Sequence, residues 1–134
     1  TPGAAFHPEL LPIDSGFILS KGMTDDNGYS AFHPDARING MTLAEFLKTH
    51  GIKTLYVAGV ATEYCVHDTV LEACIIPGLT VCVITDAIAA VDETKTPENL
   101  KRFKTAGAYL NTTLISEEEE GLDEDDLDDE DPDN

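Results

Sequence analysis

A cysteine at the head of a helical pattern and a lysine after a separate apolar run are the residues best suited to covalent chemistry. Cys65 closes the segment Gly59-Val60-Ala61-Thr62-Glu63-Tyr64-Cys65, which follows a strand-like run and opens a helix. With Thr62 as N-cap, Cys65 falls in the first helical turn, where unpaired N–H groups and the helix dipole favour a thiolate. A nearby ammonium pushes the same way, and Lys21 follows the run Phe17–Leu19. A thiolate attacking an amide carbon creates an oxyanion, which backbone N–H groups of the same turn could receive. Residue spacing alone leaves alternatives open. Packing under the sheet edge weighs slightly more for Cys65 than nucleophilic attack does. Lys21 by itself reads more readily as a solvated lysine, and Asp86 as a loop or capping carboxylate. Tyr64 faces a pocket or a layer interface without preference. Tyr29 and Phe32 are aromatics in a polar loop, and lining a pocket or covering the sheet edge fits them equally.

The elements that must position these residues follow from periodicity and punctuation. Residues 1–16 are irregular, and Phe17–Leu19 is expected as a short strand. Residues 22–40 are loop. Thr42 and Glu45 form a capping box for a helix over Thr42–His50, with Leu43, Phe46 and Leu47 on its apolar face and Gly51 at its end. Ile52–Ala58 is a strand whose nearly unbroken apolar run predicts cover on both faces. A helix from about Glu63 to Ile76 is stopped by Pro77-Gly78. Thr80–Thr85 is a further strand ending at Asp86. Thr96 and Pro97 open a third helix, Gly107 stops it, and a last strand lies near Leu110–Ile115. Strands alternating with helices require crossovers, hence a parallel sheet with helices on its faces. Ligands of such sheets lie beyond the carboxyl ends of the strands, where Lys21, the Gly59–Cys65 turn and Asp86 fall. About four strands is thin for a free-standing three-layer domain.

Composition removes several function classes. The net charge is −18, but residues 117–134 hold 13 of the 26 acidic side chains and no basic one. That tail is expected to be disordered. The remaining 1–116 stretch has an ordinary balance and no basic patch, which disfavours nucleic acid. No apolar run reaches the length of a membrane span. Cys74 and Cys82 sit in apolar runs and read as small buried hydrophobes, so the three cysteines suggest a reducing interior rather than a disulfide framework. His7, His33, His50 and His67 are too scattered for a helix-borne metal pair. Glu63 and Asp68 read as solvated helix residues.

The motif Gly59-Val60-Ala61-Thr62-Glu63-Tyr64-Cys65-Val66 resembles the nucleophile segment of the isochorismatase-like cysteine hydrolases, and within them most nearly that of the nicotinamidases. The opening TPGAAFHPEL is similar to the stretch after that family's metal-binding region, and Lys21 through Tyr29-Ser30-Ala31-Phe32 to its catalytic-lysine region. Residues 79–92 and 106–113 resemble its later strands, so the likeness covers roughly 1–116. The resemblance implies a three-layer α/β/α fold with a parallel sheet, here incomplete at the N-terminus. It makes Cys65 the nucleophile and Lys21 the cationic member of an Asp-Lys-Cys triad. It places a cis peptide at Val60–Ala61 and makes the Ala61 and Cys65 N–H groups the oxyanion hole. Tyr64, Tyr29 and Phe32 would flank the substrate.

The implied reaction is hydrolysis of nicotinamide to nicotinate and ammonia through a cysteine thioester, in NAD salvage in the cytoplasm, or the nucleus of a eukaryote. The family's triad aspartate and its divalent-metal ligands, for which zinc is the expected ion, match no residue here. His7, Asp14 and Asp86 do not fit those positions. The expected partners are therefore a small amide and a missing N-terminal segment or complementary chain, with a homo-oligomer also compatible. By itself the chain is expected to be weakly active or inactive. Two alternatives stand beside this: another family member acting on a different small amide or a vinyl ether, and a non-catalytic half-domain serving as a partner or binding module.

Overall fold

The computed structural model describes residues 16–22 and 28–112. Helix α1 (Leu43–Thr49) begins where the capping box puts it. Thr42 Oγ1 accepts from the Glu45 N–H, and Glu45 Oε1 accepts from the Thr42 N–H. Phe46 and Leu47 bury its apolar face. At its end the His50 ring lies against Phe46, with centroids 4.1 Å apart, and its Nδ1 is 3.0 Å from the Phe46 carbonyl. Strand β1 (Thr54–Val60) leads through a π-helical turn (Thr62–Val66) into α2 (His67–Cys74). Strand β2 (Thr80–Ala89), a 3₁₀ turn (Glu93–Lys95), α3 (Thr96–Ala106) and β3 (Tyr109–Asn111) follow.

The sheet order is β1-β2-β3, and both pairings are parallel. This is the α/β/α arrangement expected from the alternation of elements. Val70, Ala73, Val83 and Phe103 are fully buried where α2 and α3 meet the sheet. Each such valine or phenylalanine contributes roughly 1.5–3 kcal/mol by leaving water. Gly107 ends α3 with φ 111°, a left-handed cap that glycine adopts without a Cβ penalty. Among the described residues no helix is long and apolar enough to cross a membrane.

Several expectations need correction. Phe17–Leu19 is not a strand: Phe17 and Ile18 are exposed, and only Ser20 pairs, in an isolated antiparallel bridge with Arg37. An apolar triplet without a neighbour to complete a ladder does not stay in a sheet. Thr62 is not an N-cap. It lies inside the π-helical turn, 1% exposed, and Ala61 occupies the cap position without a side-chain hydrogen bond. Strand β2 runs past Asp86, because Ile88 and Ala89 rejoin Gly59 and Val60 beyond a bulge. Strand β1 is closed on one face only: Val57 is buried, whereas Tyr56 is 58% and Val60 69% exposed. The described sheet has three strands rather than four. The part of the last strand expected beyond residue 112, the irregular opening stretch and the acidic tail lie outside the described residues.

Candidate active site

Strand β1 delivers the central feature. Gly59 has φ 119°, a conformation side chains resist, and sits at the bulge where the β1–β2 register shifts. The next peptide, Val60–Ala61, is cis. The Ala61 carbonyl then accepts from the N–H groups of both Tyr64 (3.0 Å) and Val66 (3.1 Å), which widens the first turn to a π pattern. Such single π turns recur at functional sites. Cys65 lies within this one.

Lys21 reaches the same point from a different part of the chain. Ser20 and Arg37 exchange two backbone hydrogen bonds of 3.0 Å, which fix the chain just before Lys21. The Lys21 Nζ then donates to Cys65 Sγ at 3.0 Å. Both residues are half-buried and line an open groove of about 220 Å³, with Ala31, Val57, Ala58, Gly59, Val60, Val66 and Thr69. A larger hollow of about 560 Å³ between α2 and α3 is not lined by Cys65. The other cysteines differ: Cys82 is buried, and burial pushes the Cys74 thiol up.

The remaining sequence candidates separate. The Tyr29 and Tyr64 rings face each other with centroids 5.4 Å apart, and both are over 40% exposed. Phe32 instead packs against both core clusters and is not in the groove lining. The loop carrying Tyr29 is fastened to α2: Ala31 N donates to Thr69 Oγ1, and Ser30 Oγ donates to Glu72 Oε1, both at 2.9 Å. Asp86 is exposed on β2 and is not in the groove lining. His67 turns toward α3, its Nδ1 2.8 Å from Asp68 Oδ1.

Sequence reasoning missed Glu63. Its carboxylate accepts the N–H groups of Val91 (3.0 Å) and Asp92 (2.8 Å) in the loop after β2. Desolvation pulls its pKa up, but the N–H donors of Asp92, of Glu63 itself and of Val91 together outweigh it and hold the carboxyl below its usual value. A carboxylate next to a helix start gives no hint in sequence of a partner 29 residues away.

Residues 1–114 match the family model for the isochorismatase domain. The chain belongs to the isochorismatase family. It is 35% identical over 122 residues to the nicotinamidase of Escherichia coli, covering 89% of this chain and 57% of that one. Among solved structures, the nicotinamidase/pyrazinamidase of Acinetobacter baumannii superposes with a TM-score of 0.72 at 32% identity, covering 87% of this chain and 56% of the other. The zinc complex of the Pyrococcus horikoshii pyrazinamidase aligns at TM-score 0.57 and 32% identity over 66% and 45% of the two chains. This chain spans about half the length of the curated relatives it matches.

Proposed function

We propose that this chain supplies the cysteine and lysine of a nicotinamidase active site. The single observation that carries the reading is the 3.0 Å contact between Lys21 Nζ and Cys65 Sγ at the lip of an open groove. An ammonium at that distance favours the sulfur anion, the form that attacks. The thiolate adds to the carboxamide carbon of nicotinamide, forming a C–S bond and moving the carbonyl electron pair onto oxygen. The Ala61 and Cys65 N–H groups receive that oxyanion. Its collapse breaks the C–N bond, and nitrogen leaves as ammonia by taking up the proton that the Cys65 thiol gave to its acceptor. Water then adds to the thioester, the C–S bond breaks, and nicotinate departs with the thiolate restored. Tyr64 is next to Cys65 in the chain and its ring lies 5.4 Å from that of Tyr29, so the pair offers aromatic surface for the pyridine ring, although neither lines the groove itself. Phe32 acts behind them, as core.

Two requirements of this chemistry fall outside the described residues. Among those residues no carboxylate forms an ion pair with Lys21, so the acceptor of the thiol proton comes from elsewhere. Among them, too, no three His, Cys, Asp or Glu side chains are placed to hold a metal ion. The described residues therefore offer no fitting ligand set for a zinc like that of the Pyrococcus relative, and no step above uses one. We read the active enzyme as an assembly in which further polypeptide covers the open face of β1 and brings a carboxylate to Lys21. Three free cysteines suit a reducing compartment such as the cytoplasm, and NAD salvage is the setting that product and substrate imply.

The deciding experiment measures nicotinate and ammonia released from nicotinamide by the complete assembly, with Cys65→Ala beside it. The substitution should abolish turnover, and undiminished activity would overturn the mechanism. The exposed β1 face, and the lack of a carboxylate paired with Lys21 among the described residues, favour a second reading, a non-catalytic half-domain. An assembly that forms around this chain yet releases no ammonia would select it.

A further inference from the structure

We propose that Glu63 is a positioning residue for the Cys65 turn, tying it through two backbone N–H groups to the loop after β2. The inference deepens the reading of Cys65 as nucleophile and rests on it. The π-helical turn that holds Cys65 has no side-chain cap of its own. Glu63, two residues before the sulfur, provides the side-chain tie from this turn to the Val91–Asp92 backbone. That backbone is itself held. Asp92 Oδ1 accepts from the N–H and hydroxyl of Thr94, and Glu93 accepts from the Ala90 N–H and the Thr96 hydroxyl. The stretch from the start of α3 to the Cys65 turn is therefore linked by a series of carboxylates that accept from backbone N–H groups and threonine hydroxyls. Without the Glu63 link no side chain of the turn reaches the loop after β2, and the Lys21–Cys65 contact loses that fixed reference. The charged and titratable groups around Glu63 are Asp92 and Glu93, which repel it, and His67, Lys95, Glu98 and Arg102, which line the adjoining hollow with it.

The test needs no substrate. Iodoacetamide labelling of the full chain at neutral pH, resolved by peptide mass spectrometry, reports Cys65, Cys74 and Cys82 separately. Glu63→Gln loses one of the two acceptor oxygens and should slow Cys65 labelling roughly tenfold, as small misplacements of reacting groups do. Cys74 and Cys82 should keep their rates, and Glu63→Asp should recover part of the loss. A Cys65 rate within about a factor of two of wild type in folded Glu63→Gln overturns the proposal, since a tie that matters must move reactivity by more than that. Should Glu63→Gln unfold, shown by faster labelling of Cys82, the wild-type amide spectrum decides. The Val91, Asp92 and Cys65 amide signals should shift together as Glu63 titrates. A Cys65 signal that stays still while the other two move overturns the idea. In the complete assembly Glu63→Gln should lower kcat and leave KM unchanged. Failure of the nucleophile reading would appear separately, as activity surviving in Cys65→Ala.

Discussion

Strands β1 and β2 are neighbours with almost the same apolar composition, and they live in different surroundings. In β2, Val81, Cys82, Val83 and Ile84 are all buried, because β1 and β3 flank the strand and side-chain layers cover it above and below. In β1 the alternation is plain: Val57 is buried and Tyr56 is 58% exposed. The central strand carries the stability of the described chain. The edge strand carries the turn with Cys65 and an apolar face that asks for cover.

The largest effect should come from breaking the central strand. Val83→Asp places a carboxylate at a fully buried position with no counter-charge, which costs about 4 kcal/mol or more. Urea titration followed by circular dichroism should show no cooperative transition at neutral pH. A folded variant with a near-normal midpoint would mean that the strand is not the core.

At the end of the edge strand the expected loss is in rate rather than in fold. Lys21→Ala removes the ammonium from Cys65 and should lower nicotinamide turnover by the assembly about a hundredfold. Because Lys21 is half exposed, the urea midpoint should hardly move. A large drop in stability with normal turnover would reverse the division of labour between the two strands.

Much of this arrangement was legible in the sequence, and the misses have physical causes. The capping box at Thr42 and Glu45, the Gly107 stop and the parallel alternation are local signals, set by hydrogen bonds and backbone freedom within a few residues. The Lys21–Cys65 contact joins residues 44 apart; the parallel topology puts both at the carboxyl ends of the strands, but only the family likeness pairs them. An apolar run reads the same whether a strand has one covered face or two, so the open side of β1 was invisible. The π-helical turn hid as well, since Thr62 has the right chemistry for a cap but is buried inside the turn. Glu63 reads as solvated in the sequence because an acidic residue in a first helical turn usually is.

The open face of β1 gives a smaller and more diagnostic effect. Tyr56→Ser removes a ring that is mostly in water, and in the 134-residue chain it should change stability by no more than about 0.5 kcal/mol. In an assembly that covers this face the same substitution should cost roughly 2–4 kcal/mol, as truncation of a buried aromatic does. Equal small effects in both settings would show that the face stays open and would favour the non-catalytic half-domain.

The mildest effect concerns the ties at the carboxyl ends of the strands, where acid should act while sparing the core. Glu63, Asp92 and Glu93 are each held below their ordinary values, 4.5 for the glutamates and 3.8 for the aspartate, by donors between Ala90 and Thr96 and, for Glu63, by its own N–H as well. Between the ordinary value and the lowered one, the unfolded chain binds more protons than the folded chain, so acidification through that window destabilises the fold. The contribution is complete above the ordinary values and is lost as pH falls through the lowered ones. All three carboxylates face solvent, so the slope should be shallow and should weaken with salt. Thermal melts from neutral pH to below the ordinary glutamate value should show a falling midpoint, and Glu63→Gln should flatten it. Val83→Ala, by contrast, should lower the midpoint about equally across the range, since an aliphatic cavity does not titrate. An unchanged acid slope in Glu63→Gln would mean that the ties position the turn without stabilising it.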